Sequence, residues 1–210
     1  MRARVIHSIH RAGMNSPEVH SELECPDRVF ILSGPSGVGK NTVARGLCDE
    51  GSAVRAVTAT TREPRPGEED GEDYFFVDQE EFERWLAEGR LLEYNRYGGN
   101  YYGTLVFSVN EATSTCKPVL LVIDVNGALE IKRLAPDVTL IFIAPPDEDA
   151  LEKRLRGRGD EDEESVQYRL RRAGEEMQLA DRYDWTVVND RVERAVDEIE
   201  EILTRELNTN

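Results

Sequence analysis

The sequence has little lysine, histidine or cysteine. Only Lys40, Lys117, Lys132 and Lys153 are lysines among its 26 basic residues. The three histidines all precede residue 21, and Cys25, Cys48 and Cys116 are far apart with no C-x-x-C pair, so no zinc-ligand pattern exists. An odd, sparse set of cysteines fits a reducing cytoplasm better than a disulfide framework. No apolar run approaches the roughly 20 residues a membrane-spanning helix needs, so the chain reads as soluble. Positive charge is also scarce, with a net charge of -16, which argues against non-specific binding to nucleic acid or to anionic membranes. An anionic substrate would need local Arg and Lys clusters that overcome this field. A lysine inside a glycine-rich loop therefore stands out.

The 210 residues suit one α/β domain with room for a small insertion. Residues 1–27, with Gly13, Pro17 and Pro26, lack sustained periodicity and read as a disordered leader, basic and free of acids until Glu18. They faintly resemble a transit peptide, and Met14 is an alternative start. From Val29 the pattern changes. V-F-I-L (29–32), V-L-L-V-I-D (119–124), V-T-L-I-F-I (138–143) and W-T-V-V-N (185–189) read as strands, the first three as buried parallel ones. Helical spacing follows the first, second and last of these: Val43, Ala44 and Leu47; Leu129, Ile131 and Leu134; Val192, Val196, Ile199 and Leu203. Alternating strands and helices predict a three-layer α/β fold around a central parallel sheet. Residues 54–106 interrupt it as a small mixed-β insertion with a helix at 80–88. Residues 147–182 form two charged helical stretches, the second placing Val166, Leu170, Ala173, Met177 and Ala180 on one face.

Residues 34–42 read G-P-S-G-V-G-K-N-T. Strand, glycine loop and helix together give a phosphate-binding loop over Gly34, Pro35, Ser36, Gly37, Val38 and Gly39, in which every residue but Pro35 presents a backbone N–H and Lys40 supplies charge to the β- and γ-phosphates. The pattern calls for Ser or Thr after the lysine, as a Mg²⁺ ligand, and this chain has Asn41. Its carboxamide oxygen can take that place or hold one of the ion's waters. Thr42 points about 100° away and is a poor substitute. Downstream, T-A-T-T-R-E-P-R-P-G-E-E-D-G-E-D-Y (58–74) holds Arg62 and Arg65 around a stiff Pro64. Two guanidinium forks suit a phosphate dianion, and Tyr74 adds a hydroxyl.

These segments, with G-N-Y-Y-G-T (99–104), R-L-R-G-R-G (154–159) and V-N-D (188–190), closely resemble guanylate kinase over about residues 28–207. The resemblance implies ATP-dependent phosphorylation of GMP with Mg²⁺, in a monomer or small homo-oligomer, and leaves open whether dGMP is used as readily. It divides the domain into core segments 28–53, 107–146 and 183–207, a GMP-binding subdomain 54–106 and a lid 147–182. It implies that Arg62, Arg65, Tyr74 and Tyr102 hold the GMP phosphate, that Thr58 and Thr104 supply hydroxyls near base and phosphate, and that Glu93 accepts hydrogen bonds from guanine N1–H and the 2-amino group. Arg154, Arg158 and Arg169 become lid arginines that meet charge on the transferring phosphoryl group. The family often has D-I-D followed by glutamine where this chain has V-I-D-V-N (122–126). Asp124 survives, expected to order a Mg²⁺-bound water or to help read guanine. Two alternatives stay open: a P-loop kinase acting on a sugar phosphate, and a guanylate-kinase-like binding module without catalysis.

Overall fold

Consecutive side chains on a strand point to opposite faces, so an unbroken apolar run needs cover on both sides. The computed structural model, which describes residues 5–6, 21–157 and 163–209, meets that need with a parallel sheet between two helical layers. Strands β1 (Val5–Ile6) and β2 (Ser21–Glu22) pair antiparallel ahead of it. Then follow β3 (Val29–Ser33), α1 (Lys40–Asp49), β4 (Val54–Arg55), β5 (Thr58–Thr60), β6 (Tyr74–Phe76), α2 (Gln79–Ala87), β7 (Leu91–Tyr97) and β8 (Asn100–Leu105). The rest is α3 (Val106–Thr113), β9 (Val119–Val122), α4 (Val125–Leu134), β10 (Thr139–Ala144), α5 (Glu148–Arg156), α6 (Glu163–Met177), β11 (Trp185–Val188) and α7 (Val192–Thr209).

The central sheet has the order β11-β10-β3-β9-β4, all parallel. Phe30, Leu32, Leu120, Ile141 and Ile143 face α1 and α7, where Val43, Leu47, Val196 and Ile199 cover them. Val29, Ile31, Val119, Leu121 and Leu140 face α3 and α4. Each such side chain contributes about 1.5–3 kcal/mol on burial, so this sheet is the rigid frame. The second sheet, β6-β5-β8-β7, is mixed, with β5 parallel to β6 and antiparallel to β8. Ala59, Phe82, Leu91 and Leu105 form its core. Between α5 and α6 a smaller cluster joins Leu151, Leu155 and Ala173.

Three boundaries differ from the sequence reading. β4, expected in the insertion, pairs with β9 in the central sheet, so the inserted sheet begins at β5. Leu23, inside the expected leader, is fully buried against the α3–α4 side of the core, and β1 and β2 pair; the rest of residues 1–20 lies outside the described residues. Met177 ends α6 and is exposed rather than on its buried face.

Candidate active site

The loop Gly34–Thr42 leaves the C-terminal end of β3 and enters α1. A Cβ at Gly34 (φ 135°) would lie 2.2 Å from Ile143 O, and one at Gly37 (φ 88°) 2.7 Å from Leu155 Cδ2. Close approach to main chain adds to backbone angle in fixing Gly34, whereas at Gly37, against the end of a leucine side chain, the backbone angle is the firmer constraint. Helices α2, α4 and α5 begin with the capping aspartates Asp78, Asp124 and Asp147, whereas α1 begins at Gly39 with no side-chain cap. Its first-turn N–H groups and dipole are thus left for an anion. Lys40 Nζ curls into the loop and donates to the carbonyls of Gly34 (2.6 Å) and Pro35 (3.0 Å). Asn41 and Thr42 are exposed on the first turn of the helix.

Two arginines, one from α5 and one from α6, reach this loop. Arg154 donates from Nη1 to Val38 O (3.1 Å) and from Nη2 to Asn189 O (2.9 Å). Arg169 Nη2 donates to Ser36 Oγ at 2.7 Å. Lys40, Arg154 and Arg169 therefore gather on one loop of a protein whose net charge is -16. Arg158 lies outside the described residues. Asn189, quoted in V-N-D without a role, is buried and donates from Nδ2 to Val38 O at 2.8 Å, backing the loop. The available signal was its place at the C-terminal end of β11, where ligands collect in open α/β sheets.

Across the inserted sheet, the Arg62 guanidinium forks onto Glu68, with Nη2 to Oε1 at 3.0 Å and Nη1 to Oε2 at 2.9 Å. Its central carbon lies 5.5 Å from the Tyr74 ring centroid, and Tyr102 stands edge-on to Tyr74 at 6.3 Å. Thr58 is buried and pairs with Tyr74 across β5 and β6. Burial pushes the Glu68 carboxyl up, but hydrogen bonds from Arg62 and from the Arg65 N–H bring it below its ordinary range. The Arg65 side chain itself is exposed. The structure thus brings Arg62, Tyr74 and Tyr102 together and leaves the Arg65 guanidinium at the solvent edge. Sequence reasoning missed Arg55, which lies 5.7 Å from the Tyr74 centroid and donates to Asp73 O at 3.2 Å.

Glu93 is 6% exposed and accepts from Thr104 Oγ1 at 2.7 Å across β7 and β8. Burial first, then the charge of Asp124, push its carboxyl up to about 8 against the opposing hydrogen bonds from Thr104. Asp124 caps α4, its Oδ1 accepting from the N–H groups of Asn126 (2.8 Å) and Gly127 (3.2 Å). Asn95 Nδ2 donates to Asp124 Oδ2 at 2.9 Å, so both carboxylate oxygens are engaged within the protein. Asn95 follows Glu93 by two residues on one side of β7, a spacing legible in the sequence but not used there. Among the described residues no group of three or more His, Cys, Asp or Glu could hold a metal ion.

The family model for guanylate kinase covers residues 26–206. The chain is 46% identical to guanylate kinase from Gloeobacter violaceus over 199 residues, 94% of this chain and 95% of that one. It is 46% identical to guanylate kinase from Oceanobacillus iheyensis over 179 residues, 85% and 87% of the two chains. The crystal structure of guanylate kinase from Anaplasma phagocytophilum matches at a TM-score of 0.70 and 35% identity, over 85% of each chain. With a family model spanning most of its length and relatives this similar, the chain belongs to the guanylate kinase family, as its motifs led one to expect.

Proposed function

We propose that the protein transfers the γ-phosphoryl group of ATP to GMP, giving ADP and GDP, with the division of labour that follows. Glu93, ionised by the encounter, accepts the guanine N1–H and 2-amino hydrogens, with Thr58 and Thr104 beside it. Asp124 stands as a second carboxylate near that edge. Arg62, Arg65, Tyr74 and Tyr102 hold the GMP phosphate, which displaces Glu68 from the Arg62 fork. The ATP phosphates lie along residues 34–42, and Lys40 turns from the loop carbonyls toward them. A GMP phosphate oxygen bonds to the γ-phosphorus as the bond from that phosphorus to the β–γ bridging oxygen breaks. Charge spread over the moving group is met by Lys40, Arg154 and Arg169, and by Arg158 on its motif.

Mg²⁺ bound with ATP neutralises charge on the β- and γ-phosphates. The exposed Asn41, directly after Lys40, fits as its ligand or as the holder of one of its waters. Asp124, already engaged on both oxygens, fits the base-reading role better than the metal-water role.

The observation that carries this reading is Glu93, a buried carboxylate on β7 supported by Thr104. Guanine presents two adjacent donors to it and adenine presents none. Leaving such a group unmatched costs a few kcal/mol. ADP release is measured from ATP and Mg²⁺ with GMP, AMP, CMP, UMP or a sugar phosphate offered separately. GMP is expected to lead by at least about a thousandfold. Equal release with AMP, release only with a sugar phosphate, or ATP binding without release would overturn the assignment. The same reading places the enzyme in a reducing cytoplasm as a monomer or small homo-oligomer, which light scattering on the purified protein checks.

A further inference from the structure

Helix α6 carries two arginines three residues apart that touch different parts of the molecule. Arg169 reaches Ser36 of the phosphate loop at 2.7 Å. The Arg172 guanidinium carbon lies 5.0 Å from the ring centroid of Tyr97, the last residue of β7 in the inserted sheet. Arg172 Nε also donates to Glu176 Oε1 at 2.9 Å, one turn further along α6, and the two side chains are only 24% and 13% exposed. Beside this contact, α6, β7 and the start of α4 line a cleft of about 300 Å³, with Asn95, Asn126, Tyr168, Arg171 and Arg172 among its lining.

Residues three apart on a helix are neighbours on one surface and move as one body. β7 carries Glu93, four residues before Tyr97. A continuous rigid path therefore runs from the base-reading carboxylate along β7 to Tyr97, across the stack to Arg172, and along α6 to Arg169 on the phosphate loop.

We propose that Arg172 and Tyr97 form a latch that couples seating of the GMP base to placement of Arg169 on the phosphate loop. Arg172 is assigned the part of a positioning residue, acting through Arg169. The inference rests on the reaction proposed above. A latch of this kind affects turnover more than binding, because its contact orders the transition-state arginine rather than a substrate. Glu176 fixes the Arg172 side chain in the stacking position, which limits the rotamer entropy lost on closure.

The test compares kcat and both KM values for the wild type, Arg172→Ala, Arg172→Lys, Tyr97→Phe, Tyr97→Leu and the Arg172→Ala/Tyr97→Leu double variant. Arg172→Ala and Tyr97→Leu are each expected to lower kcat about three- to tenfold, with the KM for ATP within about twofold. Tyr97→Phe keeps the ring face and should retain wild-type kcat. The double variant should be no slower than the slower single one, since the second change removes a contact already lost. Arg172→Lys keeps the charge and serves if Arg172→Ala fails to fold; it should fall between wild type and Ala. Additive losses, a Tyr97→Phe enzyme as slow as Tyr97→Leu, or a fully active Arg172→Ala enzyme would each overturn the latch while leaving the GMP reaction standing. A wild-type protein that ignores GMP would overturn the reaction, and the latch with it.

Discussion

Glu93 holds its proton to about pH 8, whereas an ordinary glutamate releases it near 4.5. In the base-reading role proposed for Glu93, guanine donates two hydrogens to the ionised form, so GMP binding would expel that proton. The KM for GMP is therefore expected to fall as pH rises, by up to about tenfold per unit, and to level off above about 8. The KM for ATP should not follow, and Glu93→Gln should abolish the slope while weakening GMP. Stability runs the opposite way. The folded protein binds this proton more tightly than the unfolded chain, so the favourable contribution is complete below about 4.5 and is lost as pH rises through about 8. A melting series without ligand should show that decline relative to Glu93→Gln. Asn41 supports a separate prediction. Asn41→Ser should turn over faster or need less Mg²⁺, and identical rates across a Mg²⁺ titration would show that the amide serves equally well.

Helix α4 separates folding from chemistry at Asp124. Asp124→Asn keeps an oxygen able to accept from the Asn126 and Gly127 N–H groups, so the helix cap survives and the loss in stability is confined to the bond from Asn95 Nδ2. Asp124→Ala loses the cap and should cost about 1 kcal/mol in a denaturant titration. Both should cut GMP turnover severely if the carboxylate's charge matters; an Asp124→Asn enzyme with full activity would remove Asp124 from the site. Elements of this kind differ in how plainly the sequence shows them. V-L-L-V and T-L-I-F-I-A announce buried strands because they are apolar at both periods, and α7 declares its single face by spacing alone. β4 is two residues long, Val54 and Arg55, and only its register against Val119 and Leu120 assigns it to the central sheet. The loop glycines were legible because close approach demands glycine at fixed intervals. Glu93 became legible only through the order of motifs around it. Asn95, Asn189 and Arg172 were not assigned roles, because their roles depend on which distant element packs opposite them.

At the scale of the whole molecule, 42 acidic residues against 26 basic ones leave a surface that repels itself. Screening weakens that repulsion, so raising KCl from about 0.1 M to roughly 1 M should raise the melting temperature, by about 3 °C for each kcal/mol recovered. A flat or falling melting curve would show that local Arg–carboxylate pairs already balance the field. The two crowded glycines of the phosphate loop lead further. Gly34 is pressed by the main chain of Ile143 in the central sheet, and Gly37 by the side chain of Leu155 in α5. The start of the loop is walled by the central sheet, its middle by α5. Amide hydrogen exchange should then run on two clocks within a few residues: near Gly34 only as fast as the frame itself opens, and near Gly37 as fast as α5 lifts away. A single peptide from this loop would report both rates, and a ligand that holds α5 against the loop would stop the faster clock alone.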